Sequence, residues 1–176
     1  EFAHFKPDDD VAIAAQHRQM LVNAYDNSIR YTDHFLARTI DYLRSLDDTS
    51  SALLYCADHG EDLIDDRRER FLHASPTTTA YQLYVASLAW FSERYRERFP
   101  EKVAAAEATH ALFHTMADMA SIEGRCLSKE ASLVSPEYDR TAPRRYLNDH
   151  NEAVPYRKTG LLPEDMEVFR RYGISL

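Results

Sequence analysis

The chain has 176 residues, with 21 Lys and Arg against 29 Asp and Glu, and its formal net charge at pH 7 is −8. This length suits one domain, and an apolar content of 44% is sufficient for a hydrophobic core. The acidic balance argues against nucleic-acid binding, which needs clustered Lys and Arg, and no apolar run is long enough for a membrane-spanning helix. Two Cys residues cannot form a disulfide framework.

The first predicted elements are a long helix and a short strand. The segment 11–46 contains no Gly or Pro, and three Asp residues at its entrance favour the positive end of a helix dipole. Its apolar or small side chains recur at helical spacing, at Leu21, Tyr25, Ser28, Thr32, Leu36, Ile40 and Leu43. Residues 51–57 form a continuous apolar run, which predicts a strand buried on both faces, as in a parallel sheet.

The second half of the chain predicts fewer regular elements. Residues 81–91 are rich in aromatic side chains and predict a second strand, and the Ala-rich segment 101–122 predicts a helix. Apolar periodicity fades after Cys126, and one last helix is expected over 163–172, with Pro163 in its first turn. The predicted fold class is therefore α/β, part of an α/β/α sandwich with a mainly parallel sheet, plus an irregular C-terminal tail.

Asp58 and His59 directly follow the predicted buried strand. Ligands in open α/β sheets bind beyond the carboxyl ends of strands, and carboxylate oxygen and imidazole nitrogen both coordinate zinc. Adjacent residues reach one ion only if the chain turns, which Gly60 permits. The alternative is a polar turn in which Asp58 caps a helix.

Further histidines are candidates for the same chemistry. His73 is a possible third ligand of a metal or of a phosphate, and the alternative is an ordinary surface histidine. Glu61 and Asp62 are either partners of an imidazole N–H or solvated side chains. His110 and His114 share a helix face at i, i+4, but Ala-Leu-Phe between them supplies no general base, which favours a structural role.

Four segments together carry a family resemblance. They are Asn-Ala-Tyr-Asp-Asn-Ser at 23–28, Tyr-Thr-Asp at 31–33, Leu-Tyr-Cys-Ala-Asp-His-Gly-Glu at 54–61 and Phe-Leu-His at 71–73. This set resembles the phosphoethanolamine transferases of the alkaline phosphatase and sulfatase superfamily. The resemblance covers about residues 2–122. It implies that residues 1–125 are the C-terminal portion of a sulfatase-like catalytic domain, with residues 126–176 as an extension packing on it.

The resemblance implies a zinc-dependent transfer of phosphoethanolamine from phosphatidylethanolamine to a lipid A-like or sugar acceptor, through a phosphothreonine. By this resemblance Asp58 and His59 are zinc ligands, and His73 contacts the substrate phosphate or a second metal. It also implies a parent protein anchored in the bacterial inner membrane, with its catalytic domain facing the periplasm. The 176 residues by themselves are expected to be soluble.

In the family, the threonine nucleophile, a glutamate ligand and a further histidine precede the Tyr-Asp-Asn segment. We therefore expect no catalytic nucleophile within this chain, weak zinc binding and no transferase activity by the chain alone. Two alternatives remain open at this point. One is a sulfatase or phosphodiesterase of the same superfamily, and the other is a non-catalytic binding domain.

Overall fold

A computed structural model of the chain describes residues 15–73, 78–105, 112–139, 141–143, 145–147, 152–155 and 160–174. The elements in chain order are helix α1 (Arg18–Arg44), strands β1 (Ala52–Cys56), β2 (Asp62–Leu63) and β3 (Phe71–Leu72), helix α2 (Ala80–Leu83), strand β4 (Ser87–Phe91), helices α3 (Glu93–Arg98), α4 (Pro100–Ala105) and α5 (Leu112–Met119), strands β5 (Arg145–Leu147) and β6 (Ala153–Pro155), and helix α6 (Pro163–Arg171). Within these ranges, no helix combines the length and the apolarity needed to cross a bilayer.

The described residues form two compact units. The first unit contains the described residues of three ranges, which are Glu1–Leu36, Asp58–Val85 and Arg144–Leu176. The second unit contains Ala37–Ala57 and the described part of Ala86–Pro143. Each unit therefore combines segments that are distant in sequence.

The helices agree with the sequence pattern where the structure describes them. Leu21 is buried, and the other positions of the predicted α1 stripe are half-buried except Ser28, which is exposed. The predicted helix at 101–122 corresponds to α4 and α5, and its positions 106–111 lie outside the described residues, as do positions 11–14 of the first helix. The last predicted helix is confirmed as α6.

The expectation of a mainly parallel sheet is corrected by the described strands. β1 pairs with β4 in antiparallel register, from Ala52 opposite Phe91 to Cys56 opposite Ser87. The β2–β3 and β5–β6 pairs are antiparallel as well. β1 is half-buried along its whole length instead of fully buried. A continuous apolar run indicates burial on both faces but carries no information about the direction of the partner strand.

The second predicted strand is only half correct, because its first part is the short helix α2. Thr79 precedes this helix in extended conformation, and its side chain accepts a hydrogen bond from the Gln82 amide, which satisfies one free donor of the first turn. The strand begins at Ser87 and ends at Phe91. The capping threonine was the local signal for a helix start.

The core of the second unit uses residues from the predicted irregular tail. Phe91, Tyr95 and Met119 pack with Val134, and the Tyr95 hydroxyl donates to the Met119 carbonyl at 3.0 Å. Ser132 to Ser135 are all buried although they lie outside helices and strands. Burial raises the pKa of Tyr95 to about 12, so its hydroxyl remains a donor. Residues 126–139 of the tail contain no helix or strand, yet they supply part of the core.

A buried carboxylate, Asp118, connects α5 to this tail segment. Lys129 Nζ donates to its Oδ1 at 2.6 Å, and Ser132 Oγ donates to its Oδ2 at 2.8 Å. Lys102 Nζ lies 3.1 Å from Oδ1. Burial alone raises the pKa of Asp118, but the hydrogen bonds from the two lysines and Ser132 outweigh it and hold the pKa below its ordinary value.

We predict that Asp118→Asn destabilises the protein at pH 7 by about 2 kcal/mol, because two lysines lose their common counter-charge. The folded-state pKa of Asp118 lies below that of the unfolded chain. The stabilisation is therefore present above about pH 4 and is lost as the pH falls through the folded-state value. Urea unfolding between pH 3 and pH 7 measures both effects. Asp41→Asn, which removes an exposed ion pair to Arg44, is the control and changes stability by less than about 0.5 kcal/mol. Equal stability of Asp118→Asn and the wild type would contradict this account.

Candidate metal centre

The chain bends at Asp58, two residues after β1 ends. Oδ1 of Asp58 accepts a hydrogen bond from the His59 amide at 3.1 Å, and Oδ2 lies 3.8 Å from His59 Nε2. The two adjacent side chains therefore approach each other, as the predicted turn requires. The Asp58 side chain is 89% exposed, which leaves its carboxylate accessible to a ligand.

Gly60 has a different role from the one predicted. Its amide donates to the Gln82 carbonyl at 2.8 Å, and a Cβ at this position would lie 1.9 Å from the Tyr81 carbonyl oxygen. Its φ is not in the left-handed region, whereas Gly160 and Gly173 have positive φ. Glycine is therefore required at position 60 because the backbone at Tyr81 and Tyr84 lies too close to leave room for a Cβ. A turn of the chain at this position is not the reason.

The short hairpin β2–β3 sets the spacing between Glu61 and His73. Asp62 pairs with Leu72 and Leu63 pairs with Phe71, so the residue before β2 and the residue after β3 come next to each other at the open end. His73 Nδ1 lies 2.8 Å from Glu61 Oε1. Because an ionised carboxylate only accepts, Nδ1 of His73 is the donor.

His59 completes a compact cluster with these two residues. Its ring centroid lies 3.9 Å from that of His73, and its Nδ1 lies 3.0 Å from the Gly60 carbonyl oxygen. One ligand atom from each of His59, Glu61 and His73 lies within 4.8 Å of the others. Ligand atoms on one tetrahedral zinc are about 3.4 Å apart, so a spacing of this order fits a metal at or beside the cluster.

Hydrogen bonding prepares both imidazoles to bind a metal or a phosphate. Each Nδ1 faces an oxygen acceptor, which places the proton on Nδ1 and leaves Nε2 available. The second carboxylate oxygen of Glu61 is buried and has no hydrogen-bond partner among the described residues. A buried carboxylate oxygen without a donor is costly, and a cation would satisfy it. Two imidazoles and a carboxylate are a donor set that suits zinc.

Asp62 does not contact an imidazole. Its carboxylate is buried and accepts hydrogen bonds from Thr79 Oγ1 at 3.0 and 2.9 Å. It also accepts a hydrogen bond from the side-chain amide of Gln82. Burial raises the pKa of Asp62 above its usual value, and the hydrogen bonds from Gln82 and Thr79 only partly offset this effect. Asp62 therefore ties the hairpin to the N-terminus of α2 instead of serving an imidazole.

The other candidate histidines do not join the described cluster. His114 Nδ1 accepts a hydrogen bond from the Ser128 amide at 3.3 Å, which agrees with the structural role expected for it. His110 lies outside the described residues. Of the candidates named from the sequence, His59 and His73 come together with Glu61, and Glu61 is the imidazole partner that the first of its two interpretations predicted. Asp58 lies beside His59 but is not a member of this three-residue group.

Comparison with known proteins gives the family. The protein-family model described as Sulfatase matches residues 1–122 of the chain. The chain therefore belongs to the sulfatase family. A relative from Escherichia coli K12, named Kdo(2)-lipid A phosphoethanolamine 7''-transferase, is 36% identical over 98 residues, which are 54% of this chain and 16% of that protein. The resemblance to phosphoethanolamine transferases is thereby confirmed, and these relatives are enzymes.

Solved structures of such transferases share the α/β fold. The zinc complex of the C-terminal periplasmic domain of EptC from E. coli matches with a TM-score of 0.67 at 23% identity, over 93% of this chain and 45% of that one. An integral membrane protein, lipooligosaccharide phosphoethanolamine transferase A from Neisseria meningitidis, matches with a TM-score of 0.59 at 26% identity, over 74% of this chain and 26% of that one. The chain thus spans only part of the length of these proteins.

We predict that Gly60→Ala destabilises the protein by about 2–3 kcal/mol, because the added methyl group would overlap a backbone carbonyl that cannot rotate away. Gly124→Ala is the matched control. Its added Cβ would meet atoms no closer than 3.9 Å, and a change below about 0.5 kcal/mol is expected. Urea unfolding of both variants checks the difference, and equal stabilities would show that the close approach at Gly60 is not real.

Proposed function

We propose that this chain forms one half of a zinc-dependent active site that transfers phosphoethanolamine from phosphatidylethanolamine to a lipid A-like or sugar acceptor. The observation that carries the proposal is the convergence of His59, Glu61 and His73, next to the accessible carboxylate of Asp58, in a sulfatase-family chain. The names of the relatives support the class of reaction. The periplasmic face of the bacterial inner membrane is the proposed location.

In this proposal Asp58 and His59 hold the catalytic zinc. The bend at Asp58 directs its carboxylate towards Nε2 of His59, the nitrogen that the Gly60 carbonyl leaves free. When bound, zinc would acidify a hydroxyl nucleophile and stabilise the charge of the transferring phosphoryl group. We propose that this hydroxyl belongs to a threonine outside the present chain, which forms the phosphothreonine.

His73 is proposed to contact the substrate phosphate or a second metal through its Nε2. Glu61 holds the opposite side of the ring by accepting from Nδ1, which fixes both the tautomer and the ring orientation. In the protonated form, His73 would donate to a phosphate oxygen and partly neutralise its charge. Either role requires that Glu61 remain opposite His73.

We also propose that residues 126–176 form an extension that packs on the catalytic portion 1–125. The support lies within each unit separately. In the first unit Asp165 bonds to Arg68, and in the second unit Val134 packs with Phe91. In this proposal, contacts of this kind hold the residues before and after position 125 together within each unit, and position 125 is not in a flexible linker.

Zinc binding is the direct test for the chain itself. We predict that the chain binds zinc weakly and that His59→Ala lowers the affinity by at least tenfold, because one imidazole ligand is removed. His34→Ala is the control, since His34 is an exposed residue on α1 and is expected to leave the affinity unchanged. Isothermal titration with zinc alone measures both variants. Wild-type affinity in His59→Ala would contradict the assignment of His59.

Activity is tested with the protein that the full reading frame encodes. Vesicles of phosphatidylethanolamine serve as donor, with lipid A as acceptor, and released diacylglycerol and modified lipid A are measured. We predict that Asp58→Asn and His59→Ala each lower the rate at least about 100-fold, while His34→Ala retains it. Hydrolysis of an aryl sulfate without phosphoethanolamine transfer would instead support the sulfatase alternative.

A further inference from the structure

A fully buried carboxylate in the C-terminal helix holds the turn of the β2–β3 hairpin. Asp165 lies in the first turn of α6, and its two oxygens accept from both terminal nitrogens of Arg68, at 2.7 and 2.8 Å. The same oxygens accept from the backbone amides of Ala80 and Leu162, each at 2.8 Å. Arg68 also bonds to Asp66 within its own loop. The carboxylate thus joins three segments of the first unit through four hydrogen bonds.

The hairpin needs such external support. It has only two residue pairs, and a two-stranded hairpin of this length is not stable by itself. Three of its non-glycine residues have positive φ, namely Ile64 at 59°, Glu69 at 49° and Leu72 at 60°. This conformation is unfavourable for side chains other than Gly, above all for a β-branched residue. Contacts from outside the hairpin therefore have to impose its geometry.

The buried pair is the strongest of the polar contacts described for this turn. Arg67 and Glu164 form a second ion pair between the same two segments, but their side chains are 78% and 47% exposed. Exposed pairs contribute little, whereas a buried bidentate pair with every oxygen hydrogen-bonded fixes one geometry. The two neighbouring pairs therefore offer a matched comparison between a buried and an exposed contact.

We infer that Asp165 is a positioning residue for the metal centre, which acts through Arg68 and the hairpin to keep Glu61 opposite His73. The link to metal binding rests on the proposed function, whereas the effect on the Glu61–His73 contact does not. Asp165 lies beyond residue 122, where the family match ends. Residues after position 122 would then help to position the side chains of the metal centre.

The test compares Arg68→Lys and Asp165→Asn with Glu164→Gln as the control. Arg68→Lys keeps the positive charge but loses the planar guanidinium that binds both oxygens of Asp165. Asp165→Asn keeps the size and shape of the side chain but loses its negative charge. Circular dichroism and urea unfolding establish that each variant is folded. Zinc titration then measures affinity, and nitrogen NMR of the metal-free protein follows the Nδ1–H signal of His73, assigned with His73→Gln.

We expect both pair variants to bind zinc about tenfold more weakly and to lose the hydrogen-bonded His73 signal, while Glu164→Gln matches the wild type. Folded variants with an unchanged His73 signal would overturn the inference. So would unfolding of both variants, because the pair would then hold the whole fold. If the wild type fails to bind zinc even in the protein that the full reading frame encodes, the proposed function fails, and the His73 signal still decides whether Asp165 positions the hairpin.

Discussion

The register of one very short hairpin decides whether this site exists. Two residue pairs between β2 and β3 place Glu61 opposite His73, and a shift by one residue would direct His73 to the other face. A hairpin with only two residue pairs does not maintain its register without outside contacts. Two buried carboxylates supply the constraint, since Asp62 ties the first strand to α2 and Asp165 ties the turn to α6.

These two carboxylates are accommodated by opposite means. Asp62 is surrounded by neutral donors, and its burial raises its pKa. Burial also acts to raise the pKa of Asp165, but the Arg68 guanidinium and two backbone amides outweigh it and leave that pKa below the ordinary value. Asp165 therefore adds stability above about pH 4, whereas ionised Asp62 opposes folding at neutral pH. One carboxylate with a charged partner and one with neutral donors thus hold the same hairpin.

Residues after position 125 contribute contacts within each of the two units, although the family match ends at residue 122. In the second unit Ser132 to Ser135 are buried, and Lys129 neutralises Asp118. In the first unit Asp165 anchors the hairpin turn. Short irregular segments can contribute in this way because burial and hydrogen bonding depend on where side chains meet, and not on regular secondary structure.

The sequence by itself determined the long helix α1, the last helix α6 and the strand at 52–56, and it identified Asp58, His59 and His73 as candidate ligands. Local periodicity and the Asp-His-Gly-Glu motif carry that information, because they are properties of neighbouring residues. Tertiary structure alone decided that β1 pairs antiparallel with β4 and that Gly60 is needed because the Tyr81 carbonyl lies against it. It also decided that Glu61, and not Asp62, is the residue that contacts the His73 ring. Each of these depends on a partner at least twelve residues away, and such a partner leaves no periodic signal in the sequence.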